Sequence, residues 1–132
     1  MAKKKRVMIF IVVGIIVVVL VFFLNYMIRV NNYQKDVSSM TFSNIDISKI
    51  ADGTYIGECN VDFIYAKVEV TVMDGAMTKI DLLEHKNEKG ASAEIITDDI
   101  IQHQQIDVDA ISGATNSSKV IKMAVENALS TK

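Results

Sequence analysis

The first pattern along the chain is one with no period. Residues 7–24 (VMIFIVVGIIVVVLVFFL) carry no charge and run apolar on every side, broken only by Gly14. Extended to Ile28 the segment has 22 residues. As a helix it measures roughly 33 Å, against a hydrocarbon core of about 30 Å. Its many β-branched residues would suit a short soluble helix poorly, but in lipid the backbone must satisfy its own hydrogen bonds, and a helix does so. Lys3, Lys4, Lys5 and Arg6 precede the run, which predicts a cytoplasmic N-terminus with the remainder outside. Asn25, Tyr26 and Arg29 mark the outer interface. A cleaved signal peptide is the rival reading. Against it, the run exceeds the usual 7–15 apolar residues, and no small-x-small site follows FFLNYMIRV. The only cysteine, Cys59, lies too far on to receive a lipid anchor. The expected layout is therefore a basic tail over 1–6, an uncleaved anchor over 7–28, a stalk over 29–50 and a domain over 51–132.

The stalk (RVNNYQKDVSSMTFSNIDISKI) is rich in Asn and Ser and has no clear period, with room for a short helix near its end. From Asp52 the pattern changes. Asp52-Gly53 is a turn signal, and GTYIGEC (53–59) suits a first strand. From Lys67 to Met73 the chain alternates, with Val68, Val70 and Val72 on one face and Lys67, Glu69 and Thr71 on the other. Asp74-Gly75 is a strong hairpin signal, and Met77–Glu84 returns with Ile80 and Leu82 on one face. After Gly90 the period lengthens: Ile95, Ile96, Ile100 and His103 form a helical stripe. Ile121, Ala124, Val125, Ala128 and Leu129 form a clearer one, with Ser117 or Asn116 as its N-cap. Strands followed by helices predict an α+β domain, a small antiparallel sheet packed with two C-terminal helices and preceded by one transmembrane helix.

Composition narrows the partners. From Val30 onward there are nine Lys, no Arg and all 16 acids, a net charge of about −7. An acidic surface without arginine repels phosphate backbones, so nucleic acid is not expected as a partner. One cysteine excludes an internal disulfide, and two histidines 18 residues apart form no recognisable metal set.

The candidate chemistry lies at Asp109-Ala110-Ile111-Ser112-Gly113-Ala114-Thr115-Asn116-Ser117-Ser118, between the two expected helices. Small residues, a glycine and several hydroxyls immediately before a helix start would favour an anion, phosphate above all, at the free backbone N–H groups and the positive end of the dipole. Gly113 permits close approach or a positive φ, and Thr115 offers a hydroxyl to the same anion. Ser and Thr in this position are also ordinary helix caps, and Gly an ordinary turn residue, so the residues alone leave both readings open. Neither the G-x-x-x-x-G-K-[ST] nor the G-x-G-x-x-G pattern is present.

DVDAISGATNSSKVIKMAVENAL resembles the signature of the FMN-binding domain family, which includes the flavin-carrying subunits of the sodium-translocating NADH:quinone reductase and of the Rnf complex. The resemblance extends back through DGTYIGE (52–58), the hairpin at Asp74-Gly75 and HKNEKG (85–90), covering roughly residues 52–130. It implies FMN esterified through its phosphate to Thr115. It also implies a separate flavin transferase, using FAD and a divalent metal, that attaches it on the outer side of the membrane. Asp109, Ser112, Gly113 and Ala114 match the part the transferase recognises and that shapes the phosphate site. Asn116 lies within the same pattern, and Ser117 and Ser118 match helix-capping positions. The single anchor and single compact domain are closer to the small stand-alone members of Gram-positive bacteria than to the subunits of the large complexes.

Other residues carry weaker signals. His85, within HKNEKG, is a candidate neighbour of the flavin, with an exposed loop histidine as the commoner explanation. His103 is expected on a helix surface. Cys59 fits a small buried apolar role. Tyr55, Phe63 and Tyr65 are candidates for stacking on a ring, or for sheet packing. Asp98 and Asp99 point to different faces of a helix and form no pair. The resulting expectation is an electron carrier rather than a stand-alone enzyme, taking electrons from a membrane donor, a quinol or a dehydrogenase, and passing them to an extracellular acceptor. The alternatives are a noncovalent FMN sensor or assembly subunit, and a flavin-free interaction module.

Overall fold

The uniformly apolar run and the alternating segments end up in separate bodies. The computed structural model describes residues 1–87 and 90–130, and its contacts divide the chain into residues 1–32 and the residues from Tyr33 on. Helix α1 (Ala2–Ser38) contains the whole apolar run. Among the described residues it is the one helix long and apolar enough to cross a membrane, and none of that span is buried in protein. Val7 to Leu24 thus presents bare apolar side chains all round, the surface that lipid satisfies and water does not.

In the second body, β1 (Gly53–Asn60), β2 (Tyr65–Met73) and β3 (Ala76–Lys86) form an antiparallel meander in the order β1-β2-β3. Asp74 and Gly75 both take positive φ, 52° and 74°, the backbone of the I′ turn that matches strand twist. Asp52 accepts a hydrogen bond from Asp74 N at 2.9 Å, which ties the start of β1 to this turn. Val68, Val70 and Val72 are buried on one face of β2, while Lys67, Glu69 and Thr71 face away, as the alternation predicts.

The pairing of β2 with β3 slips twice, between Lys67 and Val68 and between Thr71 and Val72, where Leu83 and Thr78 are the unpaired extra residues. Each extra residue reverses the inside–outside phase of the strand. Beyond Leu83, Glu84 pairs with Lys67 on the outer face and His85 pairs with Ala66 on the core face. His85 is therefore not an exposed loop histidine. It is a strand residue with its side chain 2% exposed.

Helix α3 (Thr115–Ser130) lies on the core face of the sheet, burying Val120, Ile121, Ala124, Val125, Ala128 and Leu129. At Gly57 the helix backbone comes so close that a Cβ would sit 2.2 Å from Ala124 O and 2.3 Å from Ala128 N. Helix α2 (Ile96–His103) follows a 3₁₀ turn at Ala91–Ile95 and buries Ile96 and Ile100. Ile95, expected on the buried stripe, is 60% exposed because it closes the tighter turn and falls out of the α-helical phase. His103 is exposed, as expected. Gln104 ends α2 at φ 51°, and its side-chain amide then bonds both the N–H and the C=O of Met77, each at 2.8 Å.

From Tyr33 on, the segment expected as a stalk (29–50) packs into the domain. α1 runs on to Ser38, Val37 is 1% exposed, and Ile47 is buried inside a short 3₁₀ turn (Ile47–Lys49). Tyr33, Met40, Phe42, Ile45 and Ile50 pack against the same core. Irregular backbone hides this from a periodicity search, since apolar residues spaced without a repeat can still meet one surface.

Candidate functional site

The chain enters α3 through a loop that several groups hold in place. Lys122, buried within α3, donates to Asp107 Oδ1 at 2.8 Å and to Val108 O at 2.7 Å, and its ammonium lies 4.2 Å from the Phe42 ring centroid. Asp107 is 69% exposed on its side chain, so water shares its charge and Lys122 serves mainly to hold the loop backbone. Ile111 N donates to Ser118 Oγ at 3.0 Å, and Ala114 N to Ile111 O at 3.0 Å. Gly113 takes φ 79°, and the space a Cβ would occupy there is empty to 4 Å. The loop is thus fixed from below and open above.

The first rung of α3 runs from Ser118 N to Ala114 O at 2.9 Å. Ala114 is the capping residue, two or three positions earlier than the expected cap at Asn116 or Ser117. Alanine has no oxygen with which to cover the helix end. The N–H groups of Thr115, Asn116 and Ser117 precede the first rung, and the dipole adds positive potential there. Ser117 and Ser118 are buried inside the first turn rather than capping it. Ser118 ties the loop, and Ser117 packs on Gly90, where a Cβ would lie 1.9 Å from Ser117 Oγ.

Thr115 is exposed at this helix start and borders a cleft of about 370 Å³. The cleft is lined by Tyr33, Phe63, Ile64 and Gly90 together with Gly113, Ala114, Thr115, Asn116 and Ser117. That volume is at the small end of ligand pockets, about 300–1,000 Å³, so a large ligand would be held by part of its surface. Tyr33 and Phe63 meet edge to face, centroids 5.2 Å apart and planes at 64°. Asn116 Nδ2 donates to Tyr33 Oη at 3.2 Å, which joins this aromatic corner to the residue next to Thr115.

Of the residues singled out from sequence, Gly113, Ala114, Thr115, Asn116 and Ser117 come together on the cleft. Ser112 is exposed in the turn just before it. Asp109 is exposed on a separate cleft with Met40, Phe42, Lys119 and Lys122. His85 does not line the cleft. Its Nδ1 lies 3.0 Å from Glu94 Oε1, and its Nε2 is buried without a hydrogen-bond partner among the described residues. Asn87 connects the two regions, with Nδ2 3.4 Å from His85 Nδ1 and Oδ1 accepting from Gly90 N at 3.0 Å. Glu88 and Lys89 of the HKNEKG stretch lie outside the described residues. Tyr55 and Tyr65 are away from the cleft: Tyr55 donates to Ala51 O at 2.6 Å, and Tyr65 donates to Glu58 at 2.7 Å, a bond that pushes its hydroxyl up to about 12. Burial pushes the Cys59 thiol up to about 11, so it is no reactive thiolate at neutral pH. Among the described residues no cluster of His, Cys, Asp and Glu could hold a metal.

Sequence reasoning passed over Tyr33 and Lys122. Tyr33 carries a faint signal, an i, i+4 spacing with Val37; Lys122 is a lysine beside Ile121 in an otherwise apolar stripe.

The arrangement fits a phosphorylated flavin in two parts. N–H groups ahead of the first helical rung and a glycine with free space above it suit a phosphate, and the aromatic corner suits a flat ring system. Comparison with known proteins agrees. The model of the FMN-binding domain matches residues 64–130, while no solved structure matches the chain. Since that match spans just over half of the 132 residues and includes the strands β2 and β3, the loop and α3, the chain belongs to the FMN-binding domain family, with FMN as its cofactor.

Proposed function

We propose that the protein is a membrane-anchored, extracytoplasmic flavoprotein that carries FMN esterified through its phosphate to Thr115. In this role it passes electrons from a membrane donor, a quinol or a dehydrogenase, to an extracellular acceptor or reductase. The observation that carries the reading is the situation of Thr115. It is the first residue of α3, exposed, bordering the cleft, and among N–H groups that precede the helical ladder.

Attachment would be made by a flavin transferase using FAD and a divalent metal. Thr115 would supply the hydroxyl nucleophile: its Oγ–P bond to the FMN half of FAD would form as the pyrophosphate bond breaks, with AMP as the leaving group and the hydroxyl proton passing to a base of the transferase. The N–H groups of Thr115, Asn116 and Ser117, ahead of the first helical rung, would hold the phosphodiester charge. Ser112, exposed in the turn just before Thr115, and Asp109, exposed farther back on the entering loop, would be available to the transferase. The bound isoalloxazine supplies the redox chemistry, while this chain positions it. A tether is useful outside the cell, where a dissociable cofactor is lost to dilution; the ester keeps its local concentration high. The basic residues before the apolar run support the outward orientation of the domain. Its acidic surface favours basic partners and encounters that slow as salt is raised.

The test is the intact mass and in-gel fluorescence of the denatured protein, made with a transferase and exported. A flavin that survives denaturation, adds the mass of FMN less one water and is lost in Thr115→Ala supports the tethered carrier. A colourless, unmodified wild-type protein from that experiment refutes it. Titration with free FMN then separates a noncovalent binder from a flavin-free module.

A further inference from the structure

We infer that Tyr33, from the last turns of α1, is the residue on which the flavin ring stacks, with Phe63 as the adjoining wall. The inference rests on the reading of Thr115 as the attachment point, and it adds a positioning residue from outside the span that the family model matches.

Three observations converge on Tyr33. It lines the same cleft as Thr115. Its ring meets Phe63 at 64°, which makes a corner rather than a flat pair. A planar ligand laid on one of these rings meets the edge of the other, the two geometries that aromatic quadrupoles favour. Its hydroxyl accepts from Asn116 Nδ2 at 3.2 Å, which fixes the tyrosine against the residue that follows the attachment point. The phosphate end and the ring end of one tethered molecule would thus be located by neighbouring residues. The other aromatic candidates fail this test: Tyr55 and Tyr65 do not line the cleft, and their hydroxyls are engaged elsewhere.

An aromatic side chain in contact with a flavin quenches its emission, a readout independent of electron-transfer activity. The experiment uses the full chain in detergent, made with a flavin transferase. Intact mass scores attachment, and emission of the native protein relative to the same sample unfolded scores stacking. Wild type should be quenched several-fold. Tyr33→Ala should retain the mass adduct and recover most of the emission, and Tyr33→Trp should be quenched at least as strongly as wild type. Equal emission in wild type and Tyr33→Ala, with the adduct present in both, overturns the inference and leaves the tether intact. If Tyr33→Ala does not fold, the Tyr33→Trp, wild-type and Tyr33→Phe series decides: emission rising in that order supports stacking, and no difference overturns it. If wild type carries no adduct, the tether reading has failed separately. Titration of free FMN then decides for Tyr33, with roughly tenfold weaker binding in Tyr33→Ala, the size of a lost stacking contact, in favour and unchanged binding against.

Discussion

Gly57→Ala offers the severest test of how α3 is seated. The new Cβ would lie 2.2 Å from Ala124 O and 2.3 Å from Ala128 N, where real Cβ atoms do not come within 3.0 Å. The overlap of about 0.8 Å falls on backbone at both points, so no rotamer change relieves it. Either the strand bows or α3 lifts. A gap of 0.5–1 Å forfeits a quarter to a half of each dispersion contact it opens, and the seam includes Val120, Ile121, Ala124, Val125 and Ala128. Overpacking in a core costs about 1–3 kcal/mol, and a rigid backbone neighbour puts this site at or above the upper figure. The expected loss is about 3 kcal/mol, a fall in Tm of roughly 12–24 °C for a domain of this size. Urea denaturation of the detergent-solubilised protein, followed by far-UV circular dichroism, measures it. A loss below about 1 kcal/mol would refute the close contact between β1 and α3, because the added methyl would then have found room.

Other outcomes follow from the same contacts. Lys122→Met should cost about 1–2 kcal/mol in urea, since two hydrogen bonds are lost but Asp107 stays hydrated, and the flavin attachment proposed at Thr115 should fall as the loop loosens; no change in either would refute its role as a tie. Because burial disfavours the thiolate and puts the Cys59 pKa at about 11, only about a thousandth of it is ionised at pH 8. Maleimide labelling of folded protein should be slow at pH 8 and quicken toward pH 11, and labelling as fast as that of unfolded protein would contradict its burial. A soluble fragment beginning at residue 51 lacks Val37 and Ile47, about 3–6 kcal/mol of burial, and should melt broadly and early, whereas one beginning at Val30 should melt cooperatively. Equal melting of the two fragments would show that residues 30–50 add nothing to the core.

What could be read from the chain was what repeats or what turns. Alternation marked β2, the Asp74-Gly75 pair marked its hairpin, and the spacing of Ile121, Ala124, Val125, Ala128 and Leu129 marked the face of α3. The residues around Thr115 were legible because they are contiguous and so needed no fold to bring them together. Harder to read was anything that depends on counting past an irregularity. The extra residue at Leu83 moves His85 indoors, and a two-residue period cannot announce its own interruption. The aperiodic residues after Asn32 hide a core contribution for the same reason. Tyr33 is 82 residues from Thr115 in sequence, and only the packing of the last turns of α1 on the domain reveals that they share a cleft.

The engagement of Gln104 with Met77 has a consequence for how copies of this protein coexist. A three-stranded meander leaves two outer strands, each a template on which a neighbouring molecule could continue the ladder. On β3 the Gln104 amide presents a donor and an acceptor in the pattern of a peptide group, so at Met77 the template is already occupied by an imitation of the next strand. On β1, Asn127 Nδ2 donates to Glu58 O at 2.9 Å and occupies part of the opposite border. Where copies of the domain are crowded and meet often, such side-chain stoppers act against aggregation: neighbours can touch repeatedly without zipping together.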